Sequence, residues 1–451
     1  MAAPRAPRPW LLLLAVAAAT TVAIAHPDAG SIRDTVATTL AASPDIRVVE
    51  ANRLAVDEEL HQARAGYYPS LDARAALGPE YTRFTGERRR SSLVDENGSA
   101  ESLVRKEAQL TLSQMLFDGF GTTSEVERQA ARLGSADRRA AETAEFIALD
   151  AIEAHLDVQR HEQILQLAEA NLLQLTRHEE QVGLLQRAGR AHSADREQAR
   201  ARVAQAEATI AATRGALADA RAGYQQIVGE SPGTLSAEPA PVAAVPASVE
   251  DAATSASDRN PTVLIASADV EVAAAEQRAA RASRYPRLDA ELSASAADDV
   301  GGIPGSEVGA AALLVLRYNL FRGGADLARE RETVHRLAQA RAELDRARRR
   351  AMQEARVSYH ALETARSRAA ALRAEAQAQE RTRDAYAGQF ELGTRDLLDV
   401  LDAEHQLFTA RVALTTAEFT ERFAVYRNLA VTGALLHTLG LPATPAMGQS
   451  G

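Results

Sequence analysis

The sequence predicts a mainly α-helical fold with a small membrane β-part, in which long coiled-coil helices run into short strands of bilayer-crossing length. Three observations predict it: an internal duplication, two long proline-free intervals and four segments of alternating polarity. The duplication comes first. Pro44 and Tyr68-Pro69, followed by Leu71-Asp72-Ala73, recur as Pro261, Tyr285-Pro286 and Leu288-Asp289-Ala290, each displaced by 217 positions. Leu116-Phe117-Asp118-Gly119 recurs as Leu320-Phe321-Arg322-Gly323, displaced by 204, and Gly189 recurs as Gly393 at the same displacement. Each copy is therefore one structural unit.

Residues 1–25 carry Arg5 and Arg8, an apolar run from Trp10 to Ala19 and a small-x-small Ala23-Ile24-Ala25, which reads as a secretory signal peptide. The first repeat spans 26–230 and the second 262–440, with 231–261 between them and a tail at 441–451. The intervening stretch is rich in Pro, Ala, Ser and Glu and reads as a linker with little core of its own.

There is no proline between Pro79 and Pro232 or between Pro304 and Pro442. These intervals are rich in Ala, Glu, Gln, Arg and Leu, all strong helix formers. Apolar positions fall at three-four spacing, as in Leu165, Ala168, Leu172, Leu175 and Leu362, Ala365, Ala369, Leu372. Long helical hairpins over 120–229 and 324–437, packed in coiled-coil fashion, are expected. Gly121 to Arg187 and Ala325 to Glu391 are 67 residues each, which is about 100 Å of continuous helix. Ser31–Gly66 and Ser193–Gly229, stacked end to end, come to roughly 110 Å by the same rise. One long helix beside two stacked shorter ones makes a tall helical wall.

Strands are expected at about 70–84, 103–117, 286–297 and 307–321. Leu288, Ala290, Leu292, Ala294 and Ala296 alternate with Asp289, Glu291, Ser293 and Ser295, while Ala108, Leu110 and Leu112 alternate with Gln109, Thr111 and Ser113. Each segment is near the roughly 9 to 11 residues that a tilted strand needs to cross a bilayer. Polar loops join them, Thr85–Glu101 with its Arg88-Arg89-Arg90 and Ala297–Ser306 with its Gly and Pro. Four strands leave two open edges, which lipid does not tolerate, and barrels need at least about eight strands. The chain must therefore associate, and a ring of three copies would supply twelve strands.

Composition excludes several classes. The chain has no Cys, so it has neither disulfides nor a lipid-modified N-terminal Cys. Removing the signal peptide takes the formal charge from −10 to −12, because that segment holds two Arg and no acid. That balance argues against nucleic acid as a partner. No catalytic residues, cofactor or metal are expected. The ten His are scattered without ligand spacing, Lys106 is the only lysine, and Gly119-Phe120-Gly121 lacks the rest of a phosphate loop and better serves a strand-to-helix turn.

Nearly the whole chain resembles the TolC family of outer-membrane channel proteins. The resemblance rests on the duplication, on the paired Tyr-Pro and Leu-Phe-x-Gly segments, and on Gly393-Thr394-Arg395-Asp396-Leu397-Leu398-Asp399-Val400-Leu401-Asp402-Ala403, matched more weakly by Gly189 to Ala201. It implies a homotrimer with one barrel in the outer membrane continuous with a tunnel of twelve helical rods through the periplasm. The tunnel closes at its far end as an iris, and opens when a periplasmic membrane fusion protein and an inner-membrane ABC transporter or proton-driven pump dock. The run from Leu116 to Gly121, followed by Ser124-Glu125-Val126-Glu127-Arg128-Gln129, is most similar to members serving type I protein secretion with an ABC transporter.

Within that resemblance, Asp399 and Asp402 share one helix face and would ring the constriction with carboxylates, attracting cations. For an isolated sequence an exposed acid pair would be the better reading; the matching motif favours the ring. Arg395 corresponds to a position that latches the closed iris to the first hairpin, with Asp195 as the matching acid, against the alternative of an ordinary surface ion pair. His192-Ser193-Ala194 departs from the apolar or hydroxylated residues often found there. The turns holding Gly189, Gly393 and Thr394 would be tunnel tips for adaptor docking, although their glycines equally fit helix C-caps. The alternatives are the outer-membrane component of a multidrug or metal efflux pump and, from another class, a periplasmic coiled-coil scaffold or adaptor. A scaffold would not carry paired ten-residue strands twice.

Overall fold

The computed structural model describes residues 30–83 and 100–442. The expected signal peptide, the loop arginines Arg88–Arg90 and the tail from residue 443 lie outside the described residues.

Each half opens with a helix broken at a proline. Helices α1 (Ile32–Ala42) and α2 (Pro44–Ala65) have 11 and 22 residues. Their counterparts α5 (Val249–Arg259) and α6 (Pro261–Ala282) have the same lengths. Proline disfavours helical geometry in the residue before it, so Ser43 (φ −59°, ψ 127°) and Asn260 (φ −57°, ψ 130°) leave the helical region. Each then caps the helix it starts. Ser43 Oγ accepts from the Asp45 N–H at 3.2 Å and Asn260 Oδ1 from the Thr262 N–H at 3.0 Å.

The stretch 231–261, expected to lack a core, contains α5, and that expectation is corrected. Its alanines explain why. Ala252 and Ala256 are fully buried against Ala351 and Ala355 of the long helix α7 (Ala325–Glu391), since side chains of one carbon let two backbones approach closely.

Helix α3 (Gly121–Arg187) and α7 are each 67 residues, and their hairpin partners α4 (Ser193–Val228) and α8 (Leu397–Val431) have 36 and 35. One half of α3 lies against α2 and α6, the other against α4; α7 likewise runs from α5 and α6 to α8. Ala140, Ala144, Ala148 and Ala151 form a buried stripe on α3 at helical spacing. The largest core gathers where the halves meet, from Ile152, Leu362, Phe419, Leu429 and the α9 (Leu435–Thr438) residues Leu435 and Leu436. Burying each such side chain stabilises the fold by about 1.5–3 kcal/mol. Among the described residues, no helix is long and apolar enough to cross a membrane.

Strands β1 (Ser70–Arg83), β2 (Ala100–Phe117), β3 (Arg287–Asp298) and β4 (Ser306–Arg317) form one antiparallel sheet in the order β1-β2-β3-β4. β2 starts before the expected 103 because β1 is paired along its length, Arg83 facing Ala100. β4 stops short of the expected 321 because its partner begins at Arg287, after Pro286, which has no N–H for the ladder.

The register stacks like with like. Leu71, Leu112, Leu292 and Ala312 face one another across the four strands, as do Ala73, Leu110, Ala294 and Ala310. One residue along, Arg74, Gln109, Ser295 and Gly309 occupy the opposite face. Along β2 and β3 the sheet thus has one apolar face and one polar face, while β4 adds Ala311, Leu313 and Val315 to the polar side. The apolar face is open: Leu71 is 69 %, Leu292 53 % and Leu314 72 % exposed. In this chain β1 and β4 are both edge strands.

The sheet is joined to α3 by a tight left-handed turn at Gly119 and Phe120, both at φ 67°. A Cβ on Gly119 would lie 2.3 Å from the Tyr285 Cβ, so only glycine fits. Asp118 accepts from the Thr122 N–H at 2.7 Å and caps the helix.

Candidate functional site

At the ends of the hairpins far from the sheet, the two copies turn in the same way. Gly189 (φ 71°) and Gly393 (φ 74°) take the left-handed conformation. The Arg190 N–H donates to Leu185 O at 2.8 Å, and the Thr394 N–H to Gln389 O at 3.0 Å, each satisfying carbonyls that the helix end leaves open. The Thr394 hydroxyl donates to the same Gln389 carbonyl at 3.0 Å. No heavy atom crowds either glycine, and the adjoining Leu184 and Leu392 are 60 % and 81 % exposed. The tips are therefore closed backbone turns bearing apolar side chains in solvent.

The predicted gate residues sit on the first turns of the returning helices. Asp195 belongs to the first turn of α4, where its Oδ2 accepts from the His192 N–H at 2.9 Å. Asp195 thus caps the start of α4 through the His192 backbone. Arg395 precedes α8. Its guanidinium lies 3.9 Å from the centre of the Tyr386 ring and donates to Asp399 Oδ2 at 3.3 Å, while its buried Nε has no partner. Within one chain, then, Arg395 pairs with Asp399 and not with Asp195. Asp402 accepts from Arg202 Nη2 of α4 at 2.7 Å, a bond between the two hairpins.

Below these pairs Leu397 and Leu401 pack with Leu175, Val182, Ala199 and Ala206, joining α8 to both helices of the first hairpin. Beside this seam lies a buried ionic cluster. Glu404 of α8, its side chain only 5 % exposed, meets His178 of α3 at 3.4 Å and Arg383 of α7 at 3.2 Å. Burial pushes the Glu404 carboxyl up, but the His178 hydrogen bond and the Arg383 charge outweigh it, and the group lies below the usual carboxylate range.

Arg202, His178 and Glu404 were missed by sequence reasoning. The Arg202–Asp402 and His178–Glu404 pairs join residues 200 and 226 positions apart along the chain, and no local motif marks them. A weak signal existed for Glu404, as an acid at helical spacing from Val400, Leu401 and Leu407 of the buried α8 stripe. Among the described residues no group of three or more His, Asp or Glu is placed to hold a metal ion.

The open apolar face of the sheet is the surface suited to lipid, and α3, about 100 Å long, continues from the sheet through the turn at Gly119 and Phe120. That combination defines an outer-membrane channel subunit with a helical extension. The outer membrane efflux protein family model matches residues 35–230 and 252–420, and the chain belongs to that family. Its place is the outer membrane.

The chain is 32 % identical over 337 residues to the outer membrane efflux protein BepC of Brucella suis biovar 1, covering 72 % of each. Among solved structures, a membrane protein from Pseudomonas aeruginosa superposes with a TM-score of 0.73 at 20 % identity, over 89 % of this chain and 90 % of that one. The open-state MtrE outer membrane channel of Neisseria gonorrhoeae does so with a TM-score of 0.71 at 19 % identity, over 90 % and 89 %. The subunit fold is that of these two proteins.

Proposed function

We propose that three copies of this chain close one β-barrel and one helical tunnel, forming the exit duct of an export complex that spans the envelope. The two free edges of a sheet that is apolar on one face carry this reading. In lipid, the unpaired N–H and C=O groups of β1 and β4 must find partners, and those of another copy are the available ones. Three four-stranded sheets give twelve strands, above the minimum of about eight for a barrel. The chain has no cysteine of its own. Cysteines at Ala73 or Ala75 of β1 combined with one at Ala312 of β4 are expected to give covalent dimers and trimers on oxidation; a ladder stopping at single chains would refute closure by copies.

In that assembly Asp399 and Asp402 border the tunnel end, and Arg395 latches it. Within one chain Arg395 pairs with Asp399, Asp195 accepts from the His192 N–H, and the Arg395 Nε has no partner, which supports a latch bond made to a neighbouring copy. Arg395→Ser is expected to raise resting conductance in planar bilayers, and a pore that stays closed would count against the latch. Gly189, Gly393 and Thr394 present the tips to a membrane fusion protein.

For cargo, the Leu116–Gly121 run supports type I protein secretion with an ABC transporter. The efflux name of the Brucella relative favours small molecules driven by an ABC transporter or a proton-driven pump. Deleting the gene separates them: loss of an extracellular protein with unchanged dye extrusion supports secretion, the reverse supports efflux.

A further inference from the structure

Each acid of the proposed constriction carries an arginine. Asp399 is paired with Arg395 at 3.3 Å and Asp402 with Arg202 at 2.7 Å. The two arginines differ in origin: Arg395 stands four residues before its partner on the same segment, whereas Arg202 comes from α4 of the other hairpin. Both members of the Arg202–Asp402 pair remain partly open, at 29 % and 49 % side-chain exposure, so each is felt by ions passing the tip. Formal charge over these four side chains sums to zero with Arg202 and to −1 per chain without it.

We propose that Arg202 is a specificity-determining residue of the constriction, cancelling the Asp402 charge while the two hairpins are packed and exposing it when they part. The inference rests on the acidic-ring reading above and deepens it. A ring of Asp399 and Asp402 alone would select cations in every state. With Arg202 seated on Asp402, these four side chains carry no net charge. Movement of α8 away from α4 breaks the pair, separates the charges and makes the opened passage cation-attracting. The apolar seam of Leu397 and Leu401 fixes the spacing that brings the two side chains together, so the compensation belongs to the packed geometry.

The test is the reversal potential of the full trimer in planar bilayers under a KCl gradient. Arg202→Gln is expected to raise the cation-to-anion permeability ratio, by roughly twofold or more. Asp402→Asn breaks the same bond from the other side and is expected to lower that ratio. Opposite signs distinguish a charge role from mere loosening of the hairpins, which would move both variants the same way. Arg202→Lys should retain the wild-type ratio. If Arg202→Gln leaves the ratio unchanged while the Asp399→Ala, Asp402→Ala double variant lowers it, the ring stands and the role of Arg202 is refuted. If neither changes it, both are refuted. Same-sign shifts for Arg202→Gln and Asp402→Asn also overturn the proposal.

Discussion

The Glu404 carboxylate of α8 and the Arg383 guanidinium of α7 meet at 3.2 Å inside the second hairpin, with Glu404 nearly removed from solvent. A second contact, to His178 of α3, makes this acid a tie between hairpins. Removing one partner of a buried pair strands the other charge. Glu404→Ala is therefore expected to destabilise the protein by about 3 kcal/mol, toward the low end for buried pairs because Arg383 keeps some contact with water. The denaturation midpoint of the detergent-extracted protein measures it. Arg350→Ala, which breaks the exposed pair with Glu354, should leave the midpoint unchanged.

Glu145 of α3 provides a pH signature. Burial raises its carboxyl to about 7, and its Oε2 has no partner. The folded chain keeps this proton up to about pH 7, whereas the unfolded chain releases it near 4.5, so its contribution to stability is full below 4.5 and lost as pH rises through 7. The total is roughly 3 kcal/mol at most. Melting curves between about pH 5 and 8 should show this decline in the wild type relative to Glu145→Gln. Equal slopes in the two proteins would show that Glu145 is not protonated.

His155 acts in the opposite sense. Burial lowers its imidazole to about 4, and its Nδ1 lies 2.8 Å from the Thr35 hydroxyl. The unfolded chain takes up a proton near 6.5 that the folded one refuses, so this stability is present above 6.5 and lost as pH falls through 4. His155→Gln should flatten the acid limb of the melting profile. An unchanged acid limb would assign it to other groups.

Leu292 lies in the middle of the apolar face, opposite Leu112 and Ala312. Leu292→Arg is expected to cost about 2–4 kcal/mol of membrane stability and to reduce recovery of trimer from outer-membrane fractions. The neighbouring Ser293→Arg, on the polar face, should be recovered normally. Equal recovery of both would invalidate the assignment of faces.

Much of this architecture could be read from the residues because its determinants are local or repeated. Alternation marked the strands, and the absence of proline marked the long helices. The helix α5 was missed because its composition resembles a linker, yet the duplication already contained it. Adding the 217-residue displacement to Ile32 and Ala42 gives Val249 and Arg259, the observed ends of α5. The tip glycines were visible as repeated turns. The pairing of Asp402 with Arg202 was not, since it depends on which faces of α4 and α8 meet, and that is decided by the apolar seam of Leu397 and Leu401 rather than by either charged residue's neighbours.

The mass of the detergent-extracted complex tests most directly whether copies of this chain complete the barrel. Sedimentation equilibrium with the detergent density-matched is expected to give three chains per particle. A particle of one or two chains would leave the edges of β1 and β4 without barrel partners and contradict the closed duct.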